Sequence, residues 1–191
     1  MSKRVALITG VTGQIGSFLA ELLLNKGYRV VGMTRRSSTV NTKNITGILM
    51  NPNFSLEFGN LQDGSSIRAI FEKHKPDEIY NMAAQSHVRV SFDCSEETLD
   101  VTGTGVVRLL NAMREIVPGS RFLQMSSSEM FGDATECPQN ELTRMMPASP
   151  YACAKHMAHN LVRNYRMSYG LHLSCAIPFN QESERRGENF V

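Results

Sequence analysis

The segment Ser149-Pro150-Tyr151-Ala152-Cys153-Ala154-Lys155 sets a phenol and an ammonium four residues apart. Proline suits the first turn of a helix, so both side chains fall on one helical face. An ammonium beside a phenol favours the phenolate. Making a phenol with a pKa near 10 useful as a base near pH 7 takes about 3 units, or about 4 kcal/mol, which a lysine plus a further positive charge in a dry site can supply. Upstream, Met125-Ser126-Ser127-Ser128-Glu129-Met130-Phe131-Gly132 offers hydroxyls and one carboxylate directly after an apolar run.

A second motif explains where such a charge would come from. Gly10-Val11-Thr12-Gly13-Gln14-Ile15-Gly16 has glycines three apart, in a G-x-x-G-x-x-G spacing. Glycines there permit a tight turn and let the backbone touch a pyrophosphate at a helix N-terminus. Where an NAD site usually offers a carboxylate to the adenosine ribose, this chain has Arg35-Arg36-Ser37-Ser38. Two guanidiniums and two hydroxyls suit a 2′-phosphate, so the expected cofactor is NADP. Asn81-Met82-Ala83-Ala84-Gln85-Ser86-His87 combines small residues, which let backbone approach a dinucleotide, with polar groups expected to project toward the ligand. His87 alone reads as structural, and His156 and His159 as plain helix residues.

These groups need a scaffold that brings chain segments 10, 35, 82, 127 and 151 to one edge. Short apolar runs at Arg4 to Thr9, Arg29 to Met33, Ser55 to Phe58, Glu78 to Met82, Arg121 to Met125 and His172 to Ile177 read as strands. Helical patterns lie between them, near Gly64 to Lys73, Glu96 to Ile116 and Pro150 to Tyr169. The clearest comes first, with Ile15, Phe18, Leu19, Leu22 and Leu23 on its expected apolar face and Gly27 past its end. Apolar strands alternating with crossover helices predict an α/β fold: a doubly wound, Rossmann-like parallel sheet with helices on both faces. Residues 1–191 are expected to form one dinucleotide-binding domain.

The 191 residues carry 20 Lys and Arg against 18 Asp and Glu, with 41% hydrophobic residues. A net charge of +2 advertises neither nucleic acid nor an anionic membrane as partner. The apolar run before Gly10 is too short for a signal-peptide core or a membrane span, so a cytoplasmic protein is expected. Cys94, Cys137, Cys153 and Cys175 show no metal-ligand spacing and read as reduced thiols, and no metal is expected.

In these motifs the chain resembles the extended short-chain dehydrogenase/reductases and, within them, the GDP-mannose 4,6-dehydratases. The resemblance runs over practically every residue. Its general features are Gly10 to Gly16 and the Tyr151/Lys155 pair. The narrower ones are Arg35 to Ser38, Ala84 to Val88, Ser127 with Glu129, and Phe179 to Gly187. Glu129 tips the reading from epimerase to dehydratase.

The resemblance implies a redox-neutral reaction on GDP-mannose within GDP-deoxyhexose (GDP-fucose type) biosynthesis. Tyr151 would take the C4 hydroxyl proton as hydride passes from C4 to NADP. Glu129 would remove the C5 proton, water would leave from C6, and hydride would return to C6, giving GDP-4-keto-6-deoxymannose. Ser127 would bond the sugar near C4, and Ser86 and Asn180 would face the substrate. Lys155 would hold the nicotinamide ribose and tune Tyr151; Asn60, Leu61, Gln181 and Arg186 would line the cofactor. The Arg35 to Lys43 loop would help pair subunits into a homodimer or tetramer.

The sequence departs from the family pattern at Ile15, Asn60, Glu97, Ser127 and Gln181. Ser127 keeps a hydroxyl. Glu97 and Gln181 replace groups near the cofactor and are expected to loosen its binding or alter its geometry. Family members continue past Asn189-Phe190-Val191 into a lobe that grips GDP, so the expectation is a truncated dehydratase with a nearly complete cofactor half. Two further readings stay open on sequence: a non-catalytic NADP-binding module or partner of a full-length dehydratase, and an epimerase or dehydratase acting on another nucleotide sugar.

Overall fold

Alternation along the strands decides the architecture. In the computed structural model, which describes residues 3–39 and 41–187, Ala6 and Ile8 of β1 (Val5–Thr9) face one layer while Leu7 faces the other, all three fully buried. A strand buried on both faces requires helices on both sides. Met1, Ser2, Val40 of the expected pairing loop, and the closing residues 188–191 lie outside the described residues.

Six strands form one parallel sheet in the order β3-β2-β1-β4-β5-β6. They are β1, β2 (Arg29–Thr34), β3 (Phe54–Phe58), β4 (Glu78–Asn81), β5 (Arg121–Met125) and β6 (His172–Ala176). The order reverses between β1 and β4, which opens a crevice at their carboxyl ends. All five pairings are parallel, and the register sets Thr9 beside Asn81 and Asn81 beside Gln124. The doubly wound α/β expectation holds, with strand limits within a residue of those read from sequence.

One layer consists of α1 (Gln14–Asn25) and a 3-10 turn over Lys43–Ile48, packed on Val11, Val30, Ile45 and Phe54. The other holds α2 (Gly64–His74), α5 (Gly105–Ile116) and α6 (Pro150–Tyr169) over Leu7, Phe71, Ile79, Leu109 and Phe122. Two short helices, α3 (Val90–Asp93) and α4 (Ser95–Thr98), lead to α5 through a π-helical stretch, Leu99–Thr104. The helix expected over Glu96 to Ile116 is therefore interrupted. There it crosses α6 closely: a Cβ on Gly103 would lie 2.9 Å from the Met157 sulfur, and the wider π turn suits a local packing constraint.

One expectation needs correcting. The buried face of α1 is Gly16, Ser17, Ala20 and Leu23, whereas Phe18 and Leu22 are exposed. Small residues let the helix lie close to the sheet, so large apolar residues on the neighbouring stripe are pushed outward. Among the described residues, no helix is long and apolar enough to cross a membrane.

Candidate active site

The glycine turn is a cradle built from backbone. Gly10 has φ +65, and a Cβ there would come within 2.9 Å of the Ala83 nitrogen and Cα, a conformation and an approach that only glycine tolerates. A Cβ on Gly16 would run into the Gly10 carbonyl. The turn is closed by Gly10 N–H to Met33 O and Gly13 N–H to Gly10 O, both 3.0 Å. No side chain caps α1, whose first turn carries no acidic residue. This leaves a positive helix end facing the switch-point crevice, with the chemistry to hold a pyrophosphate. Thr12 is tied through its carbonyl to Asn44 Nδ2 at 3.1 Å, and Val11 is fully buried.

A strap from the end of the described chain lies over this turn. Gln14 Nε2 donates to Gln181 O at 3.0 Å and to Ser183 Oγ at 2.9 Å. Arg185 donates to Ser17 Oγ at 3.2 Å and to Glu21 Oε1 at 2.7 Å, and stacks on the Phe18 ring at 4.1 Å. Arg186 Nη1 donates to Gln181 O at 2.9 Å and to Glu182 at 2.5 Å. Gln181 thus meets the helix N-terminus through its carbonyl, while Asn180 is exposed before the strap begins.

Arg35, Arg36, Ser37 and Ser38 leave the end of β2 as an exposed loop. Arg36 lies over the Phe58 ring, 5.3 Å from its centroid, and Ser37 Oγ donates to Thr39 O at 2.6 Å. Asn60 braces a turn: its Oδ1 accepts from Gln62 N–H at 3.0 Å, ahead of α2. Leu61 belongs to the core, and its carbonyl accepts from Arg108 at 2.9 Å. Ala83 passes directly behind the glycine turn, flanked in sequence by half-buried Met82 and Ala84, and Ser86 is exposed. Gln85 and His87 each make a bond within their own loop. Gln85 Nε2 turns back to His87 O at 3.3 Å, and His87 Nδ1 accepts from Val90 N–H at 3.3 Å.

Ser127, Glu129, Tyr151 and Lys155 converge after β5. Ser149 Oγ accepts from Ala152 N–H at 3.0 Å and starts α6, with Pro150 in its first turn. That fixes Tyr151, whose N–H is taken by buried Ser91 Oγ at 3.2 Å. Ser127 Oγ accepts from Glu129 N–H at 3.2 Å and caps a 3-10 turn over Ser128–Phe131. Ser127, Tyr151 and Lys155 are buried, whereas Glu129 is exposed.

Electrostatics separates the four. Burial pushes the Tyr151 phenol up from its ordinary pKa, a hydrogen bond with Ser127 draws it down, and the Glu129 charge pushes it up again. Burial drops the Lys155 ammonium to about 8. The expected lowering of Tyr151 by Lys155 is not what this geometry delivers: the ammonium lies 5.7 Å from the ring centroid and donates to Met125 O at 2.7 Å.

The sequence reading missed two contributors. His159 Nδ1 lies 3.0 Å from Ser126 Oγ and anchors the serine turn; burial and the neighbouring His156, Arg163 and Arg166 charges lower its pKa. Its position one turn beyond Lys155, in the series 151, 155, 159, was the available signal. Ser91, bonded to the Tyr151 backbone, had no such signal because it comes from a separate element.

The family model for GDP-mannose 4,6 dehydratase matches residues 7–191. GDP-mannose 4,6-dehydratase of Vibrio cholerae serotype O1 is 49% identical over 198 residues, covering 100% of this chain and 53% of that protein. The Homo sapiens enzyme is 48% identical over 197 residues, covering 99% and 53%. The chain thus spans about half the length of the curated relatives it matches. Among solved structures, UDP-glucose 4-epimerase from Brucella ovis in complex with NAD superposes with a TM-score of 0.82 at 25% identity, over 93% of this chain and 52% of that one. A dTDP-glucose 4,6-dehydratase from Streptomyces venezuelae, with NAD bound, shares the fold at 0.87 and 24% identity, over 95% and 57%. With the family model matching nearly end to end and close to half of the residues identical to named relatives, the chain belongs to the GDP-mannose 4,6-dehydratase family.

Proposed function

We propose that this chain is the dinucleotide-binding half of a GDP-mannose 4,6-dehydratase that uses NADP and carries the proton-transfer groups of the reaction. One observation supports this above the others. A buried hydroxyl, a buried phenol, a buried ammonium and an exposed carboxylate gather at the carboxyl end of β5, beside a glycine cradle that admits a pyrophosphate. In an open parallel sheet that edge is where ligands and reacting groups meet.

In this reading the amides at the start of α1 and the cradle from Gly10 to Gly16 hold the pyrophosphate, and Arg35, Arg36, Ser37 and Ser38 hold the 2′-phosphate. Lys155 donates to the nicotinamide ribose, Tyr151 accepts the proton of the sugar C4 hydroxyl, and Ser127 bonds both that hydroxyl and the phenol. A nicotinamide held there would supply the hydride acceptor for C4 and the hydride donor for C6. Exposed Glu129 removes the C5 proton made acidic by the C4 ketone and passes it to the C6 hydroxyl, which leaves as water. The protein is assigned to the cytosol as a dimer or tetramer, with a nucleotide sugar as its partner.

Incubation with GDP-mannose and NADP tests the assignment. A 4-keto product that carries solvent deuterium at C5, and loses it in Glu129→Gln, is the expected result. Cofactor binding without product at any concentration would instead make the chain a binding module. Turnover of UDP-glucose or dTDP-glucose in preference to GDP-mannose would overturn the substrate.

A further inference from the structure

Four residues of α1 make one stripe. Gln14, Ser17, Phe18 and Glu21 follow at offsets of three, four and seven, which a helix brings to a single face. The strap of residues 181–186 lies along that stripe and engages all four. Gln14 Nε2 donates to Gln181 O at 3.0 Å and to Ser183 Oγ at 2.9 Å. The Arg185 guanidinium donates to Ser17 Oγ at 3.2 Å and to Glu21 Oε1 at 2.7 Å, with its Cζ 4.1 Å from the centre of the Phe18 ring. Arg185 N–H donates to Ser183 Oγ at 3.2 Å, and Ser17 Oγ donates to Gln14 O at 2.8 Å. The contacts therefore close on one another.

This clasp accounts for two features that hydrophobicity alone does not. Phe18 is exposed on α1, and the Arg185 side chain, at the surface, is only 20% exposed. A planar guanidinium can pair with a carboxylate and stack on an aromatic face at once. A lone surface ion pair would hold little. Here a ring, a hydroxyl and a carboxylate act on one group, which fixes the far end of the strap.

What the strap carries is Arg186. Its Nη1 donates to Gln181 O at 2.9 Å, the same oxygen that Gln14 Nε2 reaches, and to Glu182 Oε1 at 2.5 Å. One carbonyl thus seats a guanidinium, 16% exposed, beside the first residue of α1. That helix end has no side-chain cap and is electropositive, so a second positive group beside it favours an anion between them. Glu182 offsets part of the charge from a side chain that is 72% exposed; a pyrophosphate would satisfy amides and guanidinium together.

We propose that the stripe of Gln14, Ser17, Phe18 and Glu21 is a latch, and that Arg185, seated on it, is a positioning residue that holds Arg186 at the N-terminus of α1 for the pyrophosphate of the dinucleotide. The inference rests on the reading of that helix end as the dinucleotide site. Because the pyrophosphate is common to NADPH and NADH, the latch acts on both alike.

Two measurements separate the latch from its consequence. In the chain alone, backbone amide exchange at positions 185 and 186, whose N–H groups donate to Ser183 Oγ and Ser183 O, reads the latch. Arg185→Met is expected to speed it by roughly tenfold, and Arg185→Glu combined with Glu21→Arg to slow it again, since the ion pair returns with its ends exchanged. Fluorescence titration reads the consequence. Arg185→Met, with its fold verified by urea unfolding, is expected to weaken NADPH and NADH by the same factor, about tenfold, and Glu21→Gln to weaken both by about threefold. Unchanged exchange in Arg185→Met would overturn the latch. Wild-type affinity in a variant whose strap has loosened, or a loss confined to NADPH, would overturn the positioning role. Should Arg185→Met not fold, Glu21→Gln and Phe18→Leu, which alter the same clasp, carry both measurements. A wild-type chain with a protected strap and no affinity for either nucleotide would sink the dinucleotide reading, and the positioning role with it, while the latch stands.

Discussion

Lys155 and Tyr151 sit one turn apart on α6 yet answer to different partners: the ammonium bonds Met125 O at 2.7 Å, while the phenol shares its hydrogen bond with Ser127. The lysine is therefore held by the sheet, with its ammonium 5.7 Å from the tyrosine ring centroid. In the chain without cofactor the phenol stays protonated at neutral pH, because burial outweighs the pull of Ser127. A second positive charge at the ring is what the proposed nicotinamide would add.

The depressed Lys155 pKa makes stability depend on pH with a definite sign. The unfolded lysine, at 10.5, binds its proton over a range where the folded one, at about 8, has released it. Stability from this group therefore rises with pH between about 8 and 10.5, by up to about 1.4 kcal/mol per unit. Urea unfolding of the wild-type chain and of Lys155→Met at pH 7.5 and 9.5 isolates the effect, since all other titrations cancel in the difference. Wild type is expected to gain on the variant as pH rises; parallel curves would contradict it.

The phenol offers a spectroscopic reading of the same site. Glu129→Gln removes a charge that pushes Tyr151 up, so its pKa is expected to fall, and Ser127→Ala removes the bond that draws it down, so its pKa is expected to climb. Tyrosinate absorbance, with Tyr151→Phe subtracted to remove the other four tyrosines, measures both. Shifts of the same sign in the two variants would refute the arrangement.

Much of this was legible in the sequence, and what was not has physical causes. Strands announced themselves because a parallel strand buried on both faces reads as a continuous apolar run. The Tyr151/Lys155 spacing survives as geometry because an α-helix repeats its face every four residues. Misreading the α1 face came from ranking residues by hydrophobicity: Gly16, Ser17 and Ala20 are buried because they are small enough for close helix–sheet packing, and the large Phe18 is left outside it. That Gln85 Nε2 bonds back to His87 O was not legible because local motifs do not show a side chain folding onto its own loop. That Thr9, Asn81 and Gln124 lie side by side was invisible because they are neighbours only through strand register.

At the cradle, Gly10→Ala faces both a positive φ and the Ala83 backbone at 2.9 Å. A cost of roughly 1–3 kcal/mol in stability is expected, with loss of NADPH binding. Gly16→Ala sets its methyl against the Gly10 carbonyl and is expected to displace the turn in the same way. Quenching or enhancement of NADPH fluorescence, read against the unfolding midpoint, separates lost binding from lost fold. Retained affinity in either variant would show that the turn does not hold the dinucleotide.

In the proposed reading, cofactor choice turns on the loop after β2. Arg35 and Arg36 are exposed, and Arg36 is pre-positioned by the Phe58 ring at 5.3 Å, so little side-chain freedom is left to lose when a phosphate binds. A charge-assisted bond from a guanidinium to phosphate contributes about 1.5–3 kcal/mol. Arg36→Ala is therefore expected to weaken NADPH by at least tenfold while leaving NADH almost unchanged, and Phe58→Ala to produce a smaller loss of the same selectivity by freeing the guanidinium. Titration of both nucleotides against wild type, Arg36→Ala and Phe58→Ala supplies the comparison. Equal loss for the two nucleotides would place the arginine on the shared part of the dinucleotide, and an unchanged preference would move recognition of the 2′-phosphate away from this loop.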